Sequence, residues 1–337
     1  MPALTTATAA GRRRAFVAIV ALAVAAVAAF IVALAVGSVR VDVASVWGAL
    51  RGSGDDAAGA IVRELRAPRA LAAFATGGLL ALAGTLMQVL LRNPLADPYV
   101  LGISGGAAVF ALATMAAGLT GWLGPAALVG AAASTLLVFG LARRPASRTA
   151  LSATRLLLTG VVVAAGWGAL IALLLTLAPE TETRGMLFWL LGDLSTAAAA
   201  GPAFAVLAAS LAAALLLGRD LNVVAHGDDS ALALGVAVPQ VVAATHALAA
   251  IATATAVATA GTIGFVGLLA PHALRLVVGN DQRVLLPAAT LAGGTLLLLA
   301  DTLARTVVAP LQLPVGVLTA IIGVPAFLYL LGRGGTT

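Results

Sequence analysis

The chain has 337 residues, 61% of them hydrophobic and 9% charged, with a mean hydropathy of +1.09; soluble domains run at about 45–50% apolar and 25% charged, so a water-soluble enzyme or binding module is excluded. All 19 basic residues are arginine, and without lysine no G-x-x-x-x-G-K-[ST] loop exists, which excludes ATP hydrolysis by the P-loop route. Cysteine is absent, which removes disulfides and thiolate metal sites, and the formal charge of +6 reads as a membrane-topology signal rather than as a nucleic-acid surface.

A membrane span needs roughly 20 residues. The uncharged runs 98–142 and 230–274 must each hold two helices, broken near residues 121–125 and near Gly261. Ten spans result, at about 15–37, 70–91, 104–119, 124–142, 156–178, 199–217, 239–259, 262–277, 285–304 and 314–332, in one transmembrane domain covering 1–337. Arg12, Arg13 and Arg14 precede an apolar run too long for a signal peptide, so this is read as the first span, entering from the cytoplasm. With both termini inside, twelve arginines fall on the cytoplasmic side and seven outside, in keeping with the positive-inside rule.

The outer segment 40–69 carries Arg63, Glu64, Arg66 and Arg69, either a solvated helix flank or a docking surface for an acidic partner. In the second helix Gly77, Gly78 and Gly84 permit close helix approach. The stretch 93–106, with Asn93, Pro94, Asp97, Pro98, Gly102 and Gly105, is a polar break. Irregular backbone at membrane depth must sit in water, inside protein or along a cavity. Its start lies on the cytoplasmic side beside Arg92, which favours a structural, partner-facing turn over a substrate site.

A cytoplasmic loop of four arginines runs through Ser152, Ala153 and Thr154 into the fifth helix, where Thr159, Gly160 and Gly166 suit either a pathway lining or ordinary packing. In the outer loop 179–198, Phe188 and Trp189 beside charges suggest a short helix lying at the interface. The cytoplasmic segment 219–238 holds Leu221, Asn222, His226 and Gly227, then Asp228, Asp229 and Ser230 as cap residues before Ala231 and Leu234, with Gly235 as a stop. A short helix there would suit a protein partner.

His226, His246 and His272 show no metal-ligand spacing, and His272 after Pro271 reads as a hydrogen-bonded helix-end residue. Asp301 and Arg305, four apart, are expected to pair near the outer end and reach water. Gly84 to Arg92 and Gly267 to Arg275 share one separation, which does not establish a repeat.

Several ordered motifs carry a resemblance. Arg66-Ala67-Pro68-Arg69, Arg92-Asn93-Pro94-Leu95-Ala96-Asp97-Pro98, Leu101-Gly102-Ile103-Ser104-Gly105-Gly106, Gly264-Phe265-Val266-Gly267-Leu268-Leu269-Ala270-Pro271-His272 and Leu313-Pro314-Val315-Gly316 resemble the FecCD permeases. These are membrane subunits of type II ABC importers for ferric siderophores, heme and vitamin B12. The resemblance implies an all-α fold of about ten helices in the bacterial inner membrane, as a homodimer or a heterodimer with a similar permease. It also implies two cytoplasmic ATPase subunits, where ATP and Mg would act, and a periplasmic or lipid-anchored binding protein. No cofactor or metal on this chain, and no nucleic-acid partner, is implied.

By the same resemblance Arg66, Arg69 and Arg305 match positions that pair with acidic residues of the binding protein. Residues 221–235 match the coupling helices on the ATPase, and the start of the fifth helix matches the pathway and inner gate. Gln312 stands where relatives usually have Glu, which puts one outer contact in doubt. The cargo expected is a ferric siderophore or heme, with cobalamin as the alternative. An ion-coupled secondary transporter would need ionisable groups at mid-membrane, and the only carboxylate within an expected span is Asp301, near an end.

Overall fold

The computed structural model describes residues 9–37, 41–51, 57–142, 153–195 and 200–334. Among them every regular element is helical: α1 (Ala9–Ala35), α2 (Val43–Leu50), α3 (Ala57–Ala60), α4 (Ala67–Leu90), α5 (Ile103–Ala116), α6 (Leu123–Ala142), α7 (Ala153–Leu177), α8 (Glu180–Leu190), α9 (Ala200–Leu216), α10 (Gly218–Val224), α11 (Asp228–Ala233), α12 (Val238–Ala260), α13 (Val266–Val278), α14 (Gln282–Ala304) and α15 (Val315–Gly334). Among the described residues, six helices are long and apolar enough to cross a membrane. Counting α9 and α10 as one span bent by 61° gives a seventh, and α5, α13 and α15 are shorter apolar helices. A helix lies at each of the ten stretches where a span is expected, with ends a few residues from the expected ones except at the second; at the sixth it is α9 alone that matches 199–217, and α10 falls in the segment 219–238 expected on the cytoplasmic side.

The second span begins earlier. A π-helical turn at Ile61–Arg66 joins α3 to α4, making one apolar helix from Ala57 to Leu90. Pro68 lies in the first turn of α4, where its ring would collide with the carbonyl four residues back and its missing N–H would break the ladder. The wider turn just before it absorbs that defect. The four charges at 63, 64, 66 and 69 therefore do not end the helix, and the expected outer loop is shortened by a full helical segment.

The core is built around α4. Its residues are buried almost without interruption from Ala70 to Val89, and α14, α12, α13 and α9 pack against it. Lipid tails are as apolar as leucine, so such packing relies on close contact and hydrogen bonds rather than on exclusion of water. Glycine supplies the closeness: a Cβ on Gly84 would stand 1.8 Å from the Gly267 carbonyl oxygen, and one on Gly77 would stand 2.3 Å from that of Gly293. Several buried threonines return their hydroxyls to the carbonyl four residues back, as Thr85 to Ala81 and Thr290 to Leu286, which satisfies those donors within the low-dielectric interior.

Two local expectations are corrected. The interfacial helix expected at Phe188 and Trp189 is α8, but Met186 and Trp189 are buried. The helix is tied inward at its end, where Gly316 N–H donates to Leu191 O at 3.0 Å and Asp193 N–H to Ala260 O at 2.9 Å. His272 is in the body of α13 rather than at a helix end, with its ring edge-on to Phe327 at 5.7 Å and its Nδ1 without a hydrogen bond.

Candidate functional site

Helices α4 and α14 run antiparallel, so the start of one meets the end of the other. At the end expected to face outward, here called the outer end, Arg69, from the first turn of α4, chelates Asp301 of α14, with Nη2 to Oδ1 at 2.8 Å and Nε to the two oxygens at 3.0 and 3.1 Å. Arg305 Nε holds the other face of the carboxylate at 3.1 Å. The i,i+4 pair therefore forms as expected, but it is sealed: Asp301 is 0% exposed and Arg305 6%. The lid is the C-terminus of α1, whose last carbonyls have no intrahelical partner. Arg66 Nη1 donates to Leu34 O at 2.7 Å and to Ala35 O at 2.9 Å, and Arg305 Nη2 reaches Ala33 O at 3.4 Å.

The three arginines singled out from the sequence thus converge on one locus. Among the described residues three guanidinium groups gather here, two of them on the one carboxylate of Asp301 and the third on the end of α1. Arg66 is buried, and the Arg69 side chain keeps 13% of its surface exposed. Gln312 accepts from Arg69 Nη1 at 2.8 Å, so the amide supplies the oxygen acceptor that a glutamate would, without its charge. Gln312 also borders a cavity of about 1220 Å³ whose walls include Arg184 and Trp189 of α8, Pro125 and Leu128 of α6, and Thr255 of α12.

The opposite end, expected to face inward and here called the inner end, is built differently. Asn222 of α10 donates from Nδ2 to Asp281 Oδ1 at 2.8 Å and accepts from the Gln282 N–H at 2.8 Å, clamping α10 to the first turn of α14. His226 Nδ1 lies 2.7 Å from Asn222 O. Arg92, just past the end of α4, pairs with Asp228 at the start of α11 at 2.9 Å. Helix α11 is framed by Gly227 at φ 118° and Gly235 at φ 77°, values that a side chain resists. Leu221 and Ala231 are buried beneath it, whereas Leu232 and Leu234 are 58% and 65% exposed and face away.

The polar stretch at 93–106 wedges between helices. Asn93 Oδ1 accepts from Leu95 N–H, and Asp97 Oδ1 accepts from Tyr99 N–H at 2.8 Å to cap a 3-10 turn at Pro98–Leu101. The Tyr99 hydroxyl accepts from Ile263 N–H at 3.0 Å, ahead of α13. Gly102 turns at φ 68° into α5, its carbonyl accepts from Ser134, and Ser134 accepts from Trp167 Nε1 of α7 at 2.9 Å. Gly105 lies against Trp167, where a Cβ would approach to 2.7 Å. Pro271 is buried within α13.

Of the expected pathway residues, Ser152 lies outside the described residues, and Ala153 and Thr154 open α7. Gly160 is buried, Thr159 half-buried and Gly166 exposed with open space beside it, on a helix whose Leu158, Val161, Val162, Leu170 and Leu173 are exposed. They do not join the two polar ends of α4 and α14.

The shared role of Asp301, the Ser134–Trp167 link and the meeting of Arg92 with Arg275 around one inner cavity escaped the sequence reading. The last had a signal. Gly84 and Gly267 touch where α4 and α13 cross, so equal spacings to Arg92 and Arg275 carry both side chains about 12 Å along neighbouring helices to the same depth. Among the described residues no group of three or more His, Cys, Asp or Glu could hold a metal ion.

Comparison with known proteins adds three findings. The profile of the FecCD transport family matches residues 23–333. The chain is 38% identical over 308 residues to the hemin transport system permease protein HmuU of Yersinia pestis, covering 88% of this chain and 90% of that one. It is 40% identical over 275 residues to the cobalamin import system permease protein BtuC of Halobacterium salinarum, covering 80% and 73% respectively. Among solved structures, a metal-chelate type ABC transporter in an inward-facing conformation superposes with a TM-score of 0.81 at 27% identity, over 95% of this chain and 99% of that one.

Proposed function

This chain belongs to the FecCD transport family and is an ABC importer permease, and from that premise we propose that it carries a metal chelate, a ferric siderophore or heme, inward across the bacterial inner membrane. The supporting observation is the likeness to a hemin permease along nearly the whole of both chains, together with a structural neighbour described as of metal-chelate type. Cobalamin is the alternative, favoured by the likeness to cobalamin permeases.

In this reading two permease subunits, identical or closely similar, enclose the pathway, with α7 beside it and Ser152, Thr154 and Thr159 toward the inner gate. ATP and Mg²⁺ act at two cytoplasmic ATPase subunits, and this chain holds no cofactor. The exposed leucines of α11 meet the ATPase, and its movement passes to α4 through Arg92–Asp228 and to α14 through Asn222. Because α4 and α14 are locked together at Gly77 and Gly293, they move as one body and deliver the displacement to the arginine cluster at the far end. There a binding protein's carboxylate competes with Asp301 and Gln312 for Arg69. Nucleotide, bound at the ATPase subunits, acts by binding one state of the assembled complex more tightly than the other.

Uptake by proteoliposomes holding the chain, its ATPase and its binding protein tests the cargo. ATP-dependent import of a ferric chelate or hemin is expected, and import of cobalamin alone would overturn the assignment. Arg69→Glu should weaken docking of the binding protein about tenfold or more, the equivalent of about 1.4 kcal/mol. An unchanged Kd would remove Arg69 from the docking surface.

A further inference from the structure

Helix α1 is held mainly at one end. Along its length Phe16, Val20, Val24, Val27 and Ile31 are exposed, and among its described side chains only Ala26, Ala29, Ala33 and Leu34 are buried. Its main packing partner is α14. The polar contacts lie in the last turn. Val36 N–H closes the helical ladder on Val32 O at 2.8 Å, and the carbonyls that follow lack a helical N–H of their own. Arg66 donates to Leu34 O at 2.7 Å and to Ala35 O at 2.9 Å, while Arg305 reaches Ala33 O at 3.4 Å. Cations suit this position, because the end of a helix carries the negative pole of its dipole.

The same contacts close Arg66 to anything outside. It is 5% exposed, and Gly37 lies against its guanidinium: a Cβ there would stand 2.7 Å from Nη2 and 2.9 Å from Cζ. An incoming carboxylate has no access to Arg66 while the end of α1 stays in place. Arg69 differs, with 13% of its side chain open.

We propose that the outer end of α1 is a latch on the docking surface, opened when an acidic side chain of the binding protein takes Arg66 from the α1 carbonyls. The inference rests on the reading of these arginines as the docking site. A carboxylate offers Arg66 a bidentate ion pair in place of two neutral carbonyls, and the freed carbonyls turn to water at the helix end. The packing of Ala33 and Leu34, both 0% exposed, opposes release. Docking therefore begins at Arg69 and extends to Arg66 only in molecules with the latch open, which lowers the apparent affinity by that fraction.

The absence of cysteine provides a clean readout. In the full chain held in nanodiscs, Ala33→Cys places a single thiol at a sealed position, where a water-soluble maleimide should react slowly. A saturating amount of the purified binding protein should speed that reaction about tenfold or more, because docking populates the open latch. Leu34→Cys, equally buried, serves if the first variant does not fold.

Gly37→Ala is the second arm. Its methyl meets the movable end of the Arg66 side chain rather than backbone, so the clasp on α1 loosens, and the Kd for the binding protein should fall about threefold or more. A clasp that only holds the fold together predicts an unchanged or higher Kd. Arg69→Glu separates the two readings. If it weakens docking while Gly37→Ala does not tighten it, or while the thiol stays unreactive in the complex, the latch is overturned and the docking site stands. If Arg69→Glu leaves the Kd unchanged, the docking reading fails and the latch with it.

Discussion

The two ends of the α4–α14 pair carry similar polar side chains in opposite states of satisfaction. At the outer end both Asp301 oxygens, Arg305, Arg66 and Gln312 are matched within the chain, and the carboxylate is fully buried. At the inner end the ion pair is exposed, with side chains 43% and 38% accessible, and three buried polar atoms beside it have no protein partner. A closed network sealed from water holds a fold together, whereas an open one at a surface is available to something else. The difference assigns structure mainly to the outer end and exchangeable contacts to the inner one.

Asp301→Ala would break this contrast most severely. It leaves Arg305 and Arg69 facing one another without a counter-charge, and loss of one partner of a buried pair costs about 3–5 kcal/mol. The unfolding midpoint in detergent should fall accordingly, and a negligible change would show that the cluster carries no structural load. Gly84→Ala tests the body that joins the ends. Its Cβ would stand 1.8 Å from a backbone oxygen, so α4 and α13 must separate, with an overpacking cost of about 1–3 kcal/mol. Transport should be lost along with stability.

The smallest effect belongs to the inner ion pair. A double-mutant cycle on Arg92→Ala and Asp228→Ala should give a stability coupling of about 0.2–1 kcal/mol, as for exposed pairs, fading at high salt. Its effect on coupling of ATPase activity to transport should be much larger than that figure implies. A coupling energy as large as that at Asp301 would erase the distinction between the two ends.

Much of the site was legible before the fold. The family resemblance grouped Arg66, Arg69 and Arg305, and a short helix was expected over 231–234 behind Asp228, Asp229 and Ser230 as caps; the helix is there but begins at Asp228, with those three residues inside it and Gly227 at the cap position. Their surroundings were not legible. A charged cluster flanking an apolar run reads as solvated, because local hydropathy holds no information about the end of α1 folding over it. Trp189 was expected at headgroup depth by the same logic, and tertiary contacts drew it inward.

Composition and apolar run length by themselves determined a membrane protein of ten helical segments without its own P-loop, because the cost of backbone and charge in hydrocarbon is a sum over local residues. Ordered motifs determined the family. Only the tertiary structure decided which charges are buried and with whom, since Arg69 meets Asp301 across 232 positions of sequence. It also decided that equal spacings on α4 and α13 bring Arg92 and Arg275 to one cavity. Pairings of that range follow from helix crossing geometry, and glycine contacts at the crossings set it.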